Sequence, residues 1–270
     1  MTAPATTRAD DLFAGLPVAK PNSFAQWRAL TGRIVWVMAT KGELIIAVIT
    51  PLVFTLGFYL PLKYVMQFRG IDYAQFVMPI IVLQTMSFTM MSNAQLAAFE
   101  AMTGLNMRMQ TMPIGKMVPL LSRISAGLVR SITALVAAIG WGHLIGFRFV
   151  AGWGQAALFC GFSLAVGTVL AVGADWMGSL TKSPESLSQA LTLPTLILGM
   201  LSCGFVPESG FPLWIRPFVR NQPISQFSFA LRDMAAHGVT WQVFWVPLAW
   251  LVGLAVVFTP LAVAASVRRS

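Results

Sequence analysis

The sequence predicts an all-α integral membrane protein with six transmembrane helices, preceded by an amphipathic interfacial helix. Three observations carry that expectation. Only 10% of the 270 residues are charged and 57% are hydrophobic, whereas a soluble domain carries roughly 25% charged residues. The charges are bunched, leaving uncharged runs at 44–62, 73–99, 131–147, 149–174, 186–207 and 234–267. Most of these reach the ~18–20 residues that a helix needs to cross a bilayer core. The runs are apolar all round, without the alternation of a membrane barrel.

Residues 1–22, rich in Ala, Thr and Pro with mixed charge, read as a disordered cytoplasmic tail. Residues 23–41 read as the interfacial helix. Ser23 and Gln26 make a capping-box pattern. Phe24, Trp27, Leu30, Thr31, Ile34, Val35 and Met38 share one face, with Gln26, Arg33 and Thr40 opposite. Arg28 and Lys41 flank the apolar stripe, where their stems reach headgroups. The spans follow at about 44–62, 74–98, 119–147, 153–181, 187–206 and 240–266; the third reaches full length only with Arg130 inside it. The second is polar in its lower half: Gln84, Thr85, Ser87, Thr89, Ser92, Asn93 and Gln95 serve either interhelical hydrogen bonds or a cavity. The third ends in Gly142-His-Leu-Ile-Gly146, a spacing that permits close helix approach. Cys160 and Cys203 fall within spans four and five as small buried hydrophobes. Residues 207–238 carry Pro207, Pro212, Pro217 and Pro223 with Trp214, Arg216, Arg220, Asn221, Arg232 and Asp233. They read as short helices at the outer interface, partly re-entrant. Trp214 and Phe218 suit an interfacial anchor; Arg216 and Arg220 suit headgroups or an acidic substrate group.

The net charge of +9 reads as helix-end basic residues rather than as a nucleic-acid surface. With the N-terminus inside, eleven Lys/Arg lie on cytoplasmic segments and six on the other side. That places both termini in the cytoplasm of a plasma-membrane protein. It also places inside the cell a polar island between spans two and three, from Phe99 to about residue 118 and on to Arg123. The island holds Glu100, Met102, Gly104, Leu105, Arg108, Met112 and Pro113, and cannot sit in hydrocarbon.

Several chemistries have no residues to carry them. No Gly-x-x-x-x-Gly-Lys-Ser/Thr phosphate loop occurs. His143 and His237 lack an acid or cysteine at metal-ligand spacing, so no metal site is expected. No nucleophile–base set is evident. A non-enzymatic membrane subunit is the leading reading; an intramembrane lipid-modifying enzyme and a channel or scaffold without ATP coupling are the alternatives.

The island resembles the coupling segment of type-2 ABC exporter permeases, with Glu100, Gly104, Arg108 and Pro113 followed by Arg123. The outer stretch 204–225, with Pro207, Pro212, Trp214, Pro217, Asn221 and Pro223, resembles that family's signature before its last span. The likeness runs from about residue 27 to the end and is nearest to actinobacterial daunorubicin-resistance permeases, notably the mycobacterial B-type subunits. It implies a six-helix permease half, paired with a second permease, homologous or identical, and with two cytosolic ATPase subunits. ATP and Mg are then expected on that partner, with no cofactor in this chain. Implied substrates are amphipathic drugs or envelope lipids of the phthiocerol dimycocerosate or glycopeptidolipid class. The resemblance makes the Met-rich island a docking element for the ATPase, with Glu100 and Arg108 setting orientation. The outer loop becomes a seal on the path.

Arg130 lies within a span, where translocon-type scales make arginine unfavourable by about 2.5–3.5 kcal/mol. It lies seven residues past Arg123, and Asp175 lies seven before Lys182 on the antiparallel fourth span. Equal depth predicts an Arg130–Asp175 ion pair.

Overall fold

Residues 22–68, 70–103, 115, 117–181 and 183–268 are described in the computed structural model, and every regular element among them is helical. Helix α1 (Ser23–Thr40) is capped one residue earlier than the capping-box pattern suggests. Asn22 is the N-cap, its Oδ1 accepting from the Phe24 amide at 3.0 Å, because an Asn side chain reaches the second amide of a helix well. Gly42, at φ +76°, turns the chain into α2 (Glu43–Phe54); a side chain there would be strained. A π-turn at Thr55–Tyr59 joins α2 to α3 (Leu60–Gln67), so 43–67 forms one apolar rod.

Asp72 caps α4 (Tyr73–Met102), accepting from the Ala74 and Gln75 amides. Helix α5 (Val118–Ile145) stops at Gly146, at φ +106°, and α6 (Trp153–Leu180) returns. Next come α7 (Pro184–Met200), a 3-10 turn at Glu208–Gly210, α8 (Arg216–Asn221), α9 (Pro223–Ala236) and α10 (Trp241–Arg268).

Among the described residues, five rods are long and apolar enough to cross a membrane: 43–67, α4, α5, α6 and α10. The expected fifth span, 187–206, begins earlier and ends at Met200. Its 17 residues reach about 26 Å at 1.5 Å per residue, slightly short of a ~30 Å hydrocarbon core. Cys203 therefore sits in a turn and not in a helix. The helix stops there because Gln222, at the start of α9, takes its terminal carbonyls: its Nε2 donates to Leu198 O and Leu201 O at 3.1 and 2.7 Å.

Helix α4 is the axis of the fold. Its apolar window is 72% buried, against 11% for α10 at the periphery. Helices α5 and α6 flank it; α1 and α2 pack on the α5 side, α7 and α9 close the other, and α10 lies along α6. Small residues make the α4–α6 seam. A Cβ on Gly178 would lie 2.3 Å from the Ala94 carbonyl oxygen, and one on Gly167 would lie 2.9 Å from Met86 Sδ. With Ala171 and Ala174 buried between them, this is the small-residue face that lets backbones approach where no hydrophobic force operates between helices.

The polar half of α4 is explained largely by hydrogen bonding. The Thr85 and Ser87 hydroxyls donate to Ile81 O and Leu83 O, and Thr89 meets both Met86 O and Ser131 Oγ. The Gly142–Gly146 pair works differently from expectation. Gly142 makes room for Met78, whereas Gly146 faces open space and serves as a helix cap. Helix α1 also finds protein cover: Ile34 and Met38 bury against Ala126 of α5, leaving Trp36 69% exposed on the far side.

Candidate functional site

The site grows from three helix ends that converge beside the polar island. Island residues Gly104, Leu105, Arg108, Met112 and Pro113 lie outside the described residues, as does the tail to residue 21. The flanks are described. Glu100 sits on the last turn of α4, Arg123 on the second turn of α5 and Asp175 near the end of α6. Arg123 joins all three: Nε donates to Asp175 Oδ1 at 2.6 Å, Nη2 to Asp175 Oδ2 at 3.0 Å, and Nη1 to Glu100 Oε2 at 2.9 Å. The fork on Asp175 is the bidentate geometry that makes arginine–carboxylate pairs strong. All three side chains are buried, at 8% exposure or less.

This arrangement corrects the expected Arg130–Asp175 pair. Asp175 belongs to Arg123, and Arg130 pairs with Glu43 at the start of α2. The expectation set depth from Arg123 and Lys182 as if both marked the surface. The helix ends are the true reference: Arg123 is five residues past Val118, and Asp175 is five before Leu180. Antiparallel neighbours at equal distance from their ends meet at equal depth. Glu100, expected to face an ATPase, turns inward instead. Arg123 and Glu43 were not singled out from sequence as ion-pair partners. Distance from the helix termini would have found Arg123. Nothing local would have found Glu43, whose height is set by α1 and the Gly42 turn.

Helix α1 clasps the exit of the island. Gln26 Oε1 accepts from the Gly115 amide at 3.3 Å, and Trp27 Nε1 donates to Ser125 Oγ at 3.0 Å. Arg28 and Arg33 are exposed, and Met102 is 57% exposed at the tip of α4. The flank of the island thus combines a rigid ionic underside with an apolar tip.

At the far end of α4, about 45 Å away by helix rise, the outer segment folds into α8 and α9. Pro207 precedes the 3-10 turn, and Pro223 opens α9. Pro212 lies exposed between the 3-10 turn and α8. Arg216 is tethered by Nε to Phe211 O at 2.8 Å and by Nη2 to Ser209 O at 3.1 Å. Trp214 projects, 80% exposed, beside exposed Phe218, Arg220 and Asn221. Arg232, on α9, is the clamp. Its guanidinium donates to Phe76 O, Cys203 O and Gly204 O and lies 3.7 Å from the Phe76 ring centroid. Burial lowers its pKa to about 10, so the clamp stays charged at neutral pH.

Between these ends is an apolar cavity of about 280 Å³ bounded by α4, α6, α7, α9 and α10. Leu83, Val166, Leu170, Leu198, Phe227 and Phe258 wall it, with only the Ser87 and Thr195 hydroxyls polar. The volume sits near the lower limit of small-molecule sites, roughly 300–1,000 Å³. No charged side chain lines it, so it suits an uncharged ring or a length of acyl chain.

Residues 66–264 match the family described as ABC-2 family transporter protein. The doxorubicin resistance ABC transporter permease protein DrrB of Mycobacterium tuberculosis is 37% identical over 257 residues, covering 87% of this chain and 89% of that protein, in strains CDC 1551 / Oshkosh and ATCC 25618 / H37Rv alike. The protein named DrrC in the same organism is 29% identical over 165 residues, 61% of this chain and 59% of that one. No solved structure gives a significant match. A family match over residues 66–264, together with a 37%-identical relative matched over 89% of its length, decides the question: this chain belongs to the ABC-2 family of transporter proteins, as a permease similar to DrrB.

Proposed function

We propose that this chain is the transmembrane half of an ATP-driven exporter for amphipathic drugs or envelope lipids. In this reading it sits in the plasma membrane with both termini in the cytoplasm, and α7 with its following turn completes a sixth crossing. Two cytosolic ATPase subunits supply the energy, binding ATP and Mg, and a second permease, homologous or identical, completes the path. This chain then has no catalytic role of its own. The observation that carries the reading is the Glu100–Arg123–Asp175 network. It locks the helix ends on both sides of the polar island to α6, so a push on the island moves three helices together rather than bending one loop. The name of the relative DrrB supports a drug-like substrate, and the uncharged lining of the cavity supports a lipophilic one.

The test is substrate efflux from proteoliposomes that hold this chain, its companion permease and the ATPase. Arg108→Ala is expected to leave assembly in the membrane intact and to cut substrate-stimulated ATP hydrolysis and efflux together, by about ten-fold or ~1.4 kcal/mol. Normal efflux at normal abundance would remove the island from the mechanism. The cavity is tested separately. Thr195→Phe places a ring in the apolar space and is expected to reduce efflux of lipophilic substrate while basal ATP hydrolysis is unchanged. Unaltered efflux would place the substrate elsewhere.

A further inference from the structure

A second, smaller cavity of about 80 Å³ lies between α2, α4 and α5, where Glu43, Thr50, Thr85, Thr89, Ser92 and Arg130 share the wall with Ile46, Ala47 and Phe88. It is on the opposite side of α4 from the apolar cavity: Ser87 and Met90 line that one, Thr85 and Thr89 this one. A helix about 10 Å thick separates the two, so one small ligand cannot occupy both.

The chemistry of the smaller cavity is set by Arg130, only 4% exposed. A guanidinium carries five N–H donors in a fixed fork and no acceptor. Its Nη2 meets Glu43, but its Nε is buried with no hydrogen-bond partner. A buried ionised donor without an acceptor is costly, and each such group calls for an explanation. Glu43 does not complete the fork. Its side chain is 39% exposed, so it reaches Arg130 from the open rim of the cavity. The unmet demand inside the site is therefore for acceptor oxygens, not for a cation. Hydroxyls line part of the same space: those of Thr50, Thr85 and Thr89 donate to carbonyls of their own helices. Each is a single donor with a rotatable O–H, which can turn from its helix carbonyl towards a ligand oxygen.

The geometry points to a binding site for one phosphate group, with its oxygens taking the Arg130 fork and Glu43 swinging out to water. The cavity volume suits a single tetrahedral group and excludes a drug-sized molecule. From Glu43 to Thr50 the cavity wall climbs about 10 Å along α2. Glu43 is the first residue of the 43–67 rod, so the mouth of the cavity lies at the end of a candidate span, where headgroups are found. The phosphate belongs either to a phospholipid headgroup or to the free ion, and both present at least two anionic acceptor oxygens to the guanidinium.

Native mass spectrometry of the full chain in mild detergent separates these cases, with phosphatidylglycerol, phosphatidylcholine and inorganic phosphate as probes. Glu43 competes for the guanidinium, so Glu43→Gln should raise phosphatidylglycerol retention about three-fold over wild type, as expected when a charge-assisted competitor is removed. Arg130→Gln alone would strand Glu43, so the second variant is Glu43→Gln with Arg130→Gln, checked for normal melting. It should lose the preference for phosphatidylglycerol over phosphatidylcholine. Displacement of the lipid by millimolar inorganic phosphate assigns the site to the free ion; retention assigns it to the headgroup. A double variant that keeps the wild-type preference would overturn the proposal. So would weaker phosphatidylglycerol binding in Glu43→Gln.

Discussion

Arg123→Met is expected to destabilise this protein by about 3–5 kcal/mol, the usual consequence of removing one partner of a buried ionic network. The substitution strands Glu100 and Asp175 as carboxylates at 8% and 5% side-chain exposure, with no cation left between them. Melting in detergent and the amount of folded protein recovered from membranes both read this effect. The companion variant removes every charge at once: Glu100→Gln, Arg123→Met and Asp175→Asn. An uncharged buried cluster often matches or exceeds the stability of the ion pair that it replaces, so the triple variant is expected to recover most of the lost stability. Efflux then separates structure from coupling. A triple variant that melts normally yet fails to transport would give the network a role in transmitting movement. A single Arg123→Met variant with wild-type melting would show that the network carries no stability.

Gly178→Leu is the second large effect. The nearest neighbour to its missing Cβ is the backbone oxygen of Ala94, at 2.3 Å, with the Ala97 Cβ at 3.0 Å. A flexible side chain could move aside; a helix backbone cannot without shifting the whole rod. Overpacking of this kind costs about 1–3 kcal/mol or more. It also parts α4 from α6 three residues from Asp175, which disturbs the fork on Arg123. The expected result is a lower melting temperature together with loss of efflux. Gly161→Ala on the same helix is the control: a Cβ there meets nothing within 4 Å. The better helix propensity of alanine should leave stability unchanged or raise it by up to about 1 kcal/mol. Equal effects of the two substitutions would contradict a tight α4–α6 seam.

Much of the fold was legible in the sequence. The ends of α4, α5, α6 and α10 fall within a few residues of the hydropathy boundaries, because lipid imposes the same demand on every turn of a spanning helix. Gly146, read as a close-approach glycine, instead ends α5 in a left-handed cap, a local role that competes with packing for the same residue type. The end of α7 was misplaced by six residues: the stretch 201–206 remains apolar enough to pass as helix, while the carbonyls that stop it are taken by Gln222, twenty-one residues on from Leu201. The candidate site was legible in its residue types and not in its pairing. Asp175 and Arg130 were recognisable as charges too costly to leave alone in a membrane. Their partners depended on where α5 starts and on how high the Gly42 turn lifts Glu43.

The sequence by itself determined that this chain is a helical membrane protein with a polar segment between its second and third spans. Composition, periodicity and spacing along one dimension suffice for that, because burial in lipid is a property of each segment separately. Only the tertiary structure decided which charges meet and which hydroxyls merely satisfy their own helix. Only it placed an apolar cavity on one side of α4 and a small pocket around Arg130 and Glu43 on the other. Those outcomes depend on the tilt, stagger and rotation of helices packed on glycine and alanine, where a shift of one turn, about 5.4 Å, exchanges one partner for another.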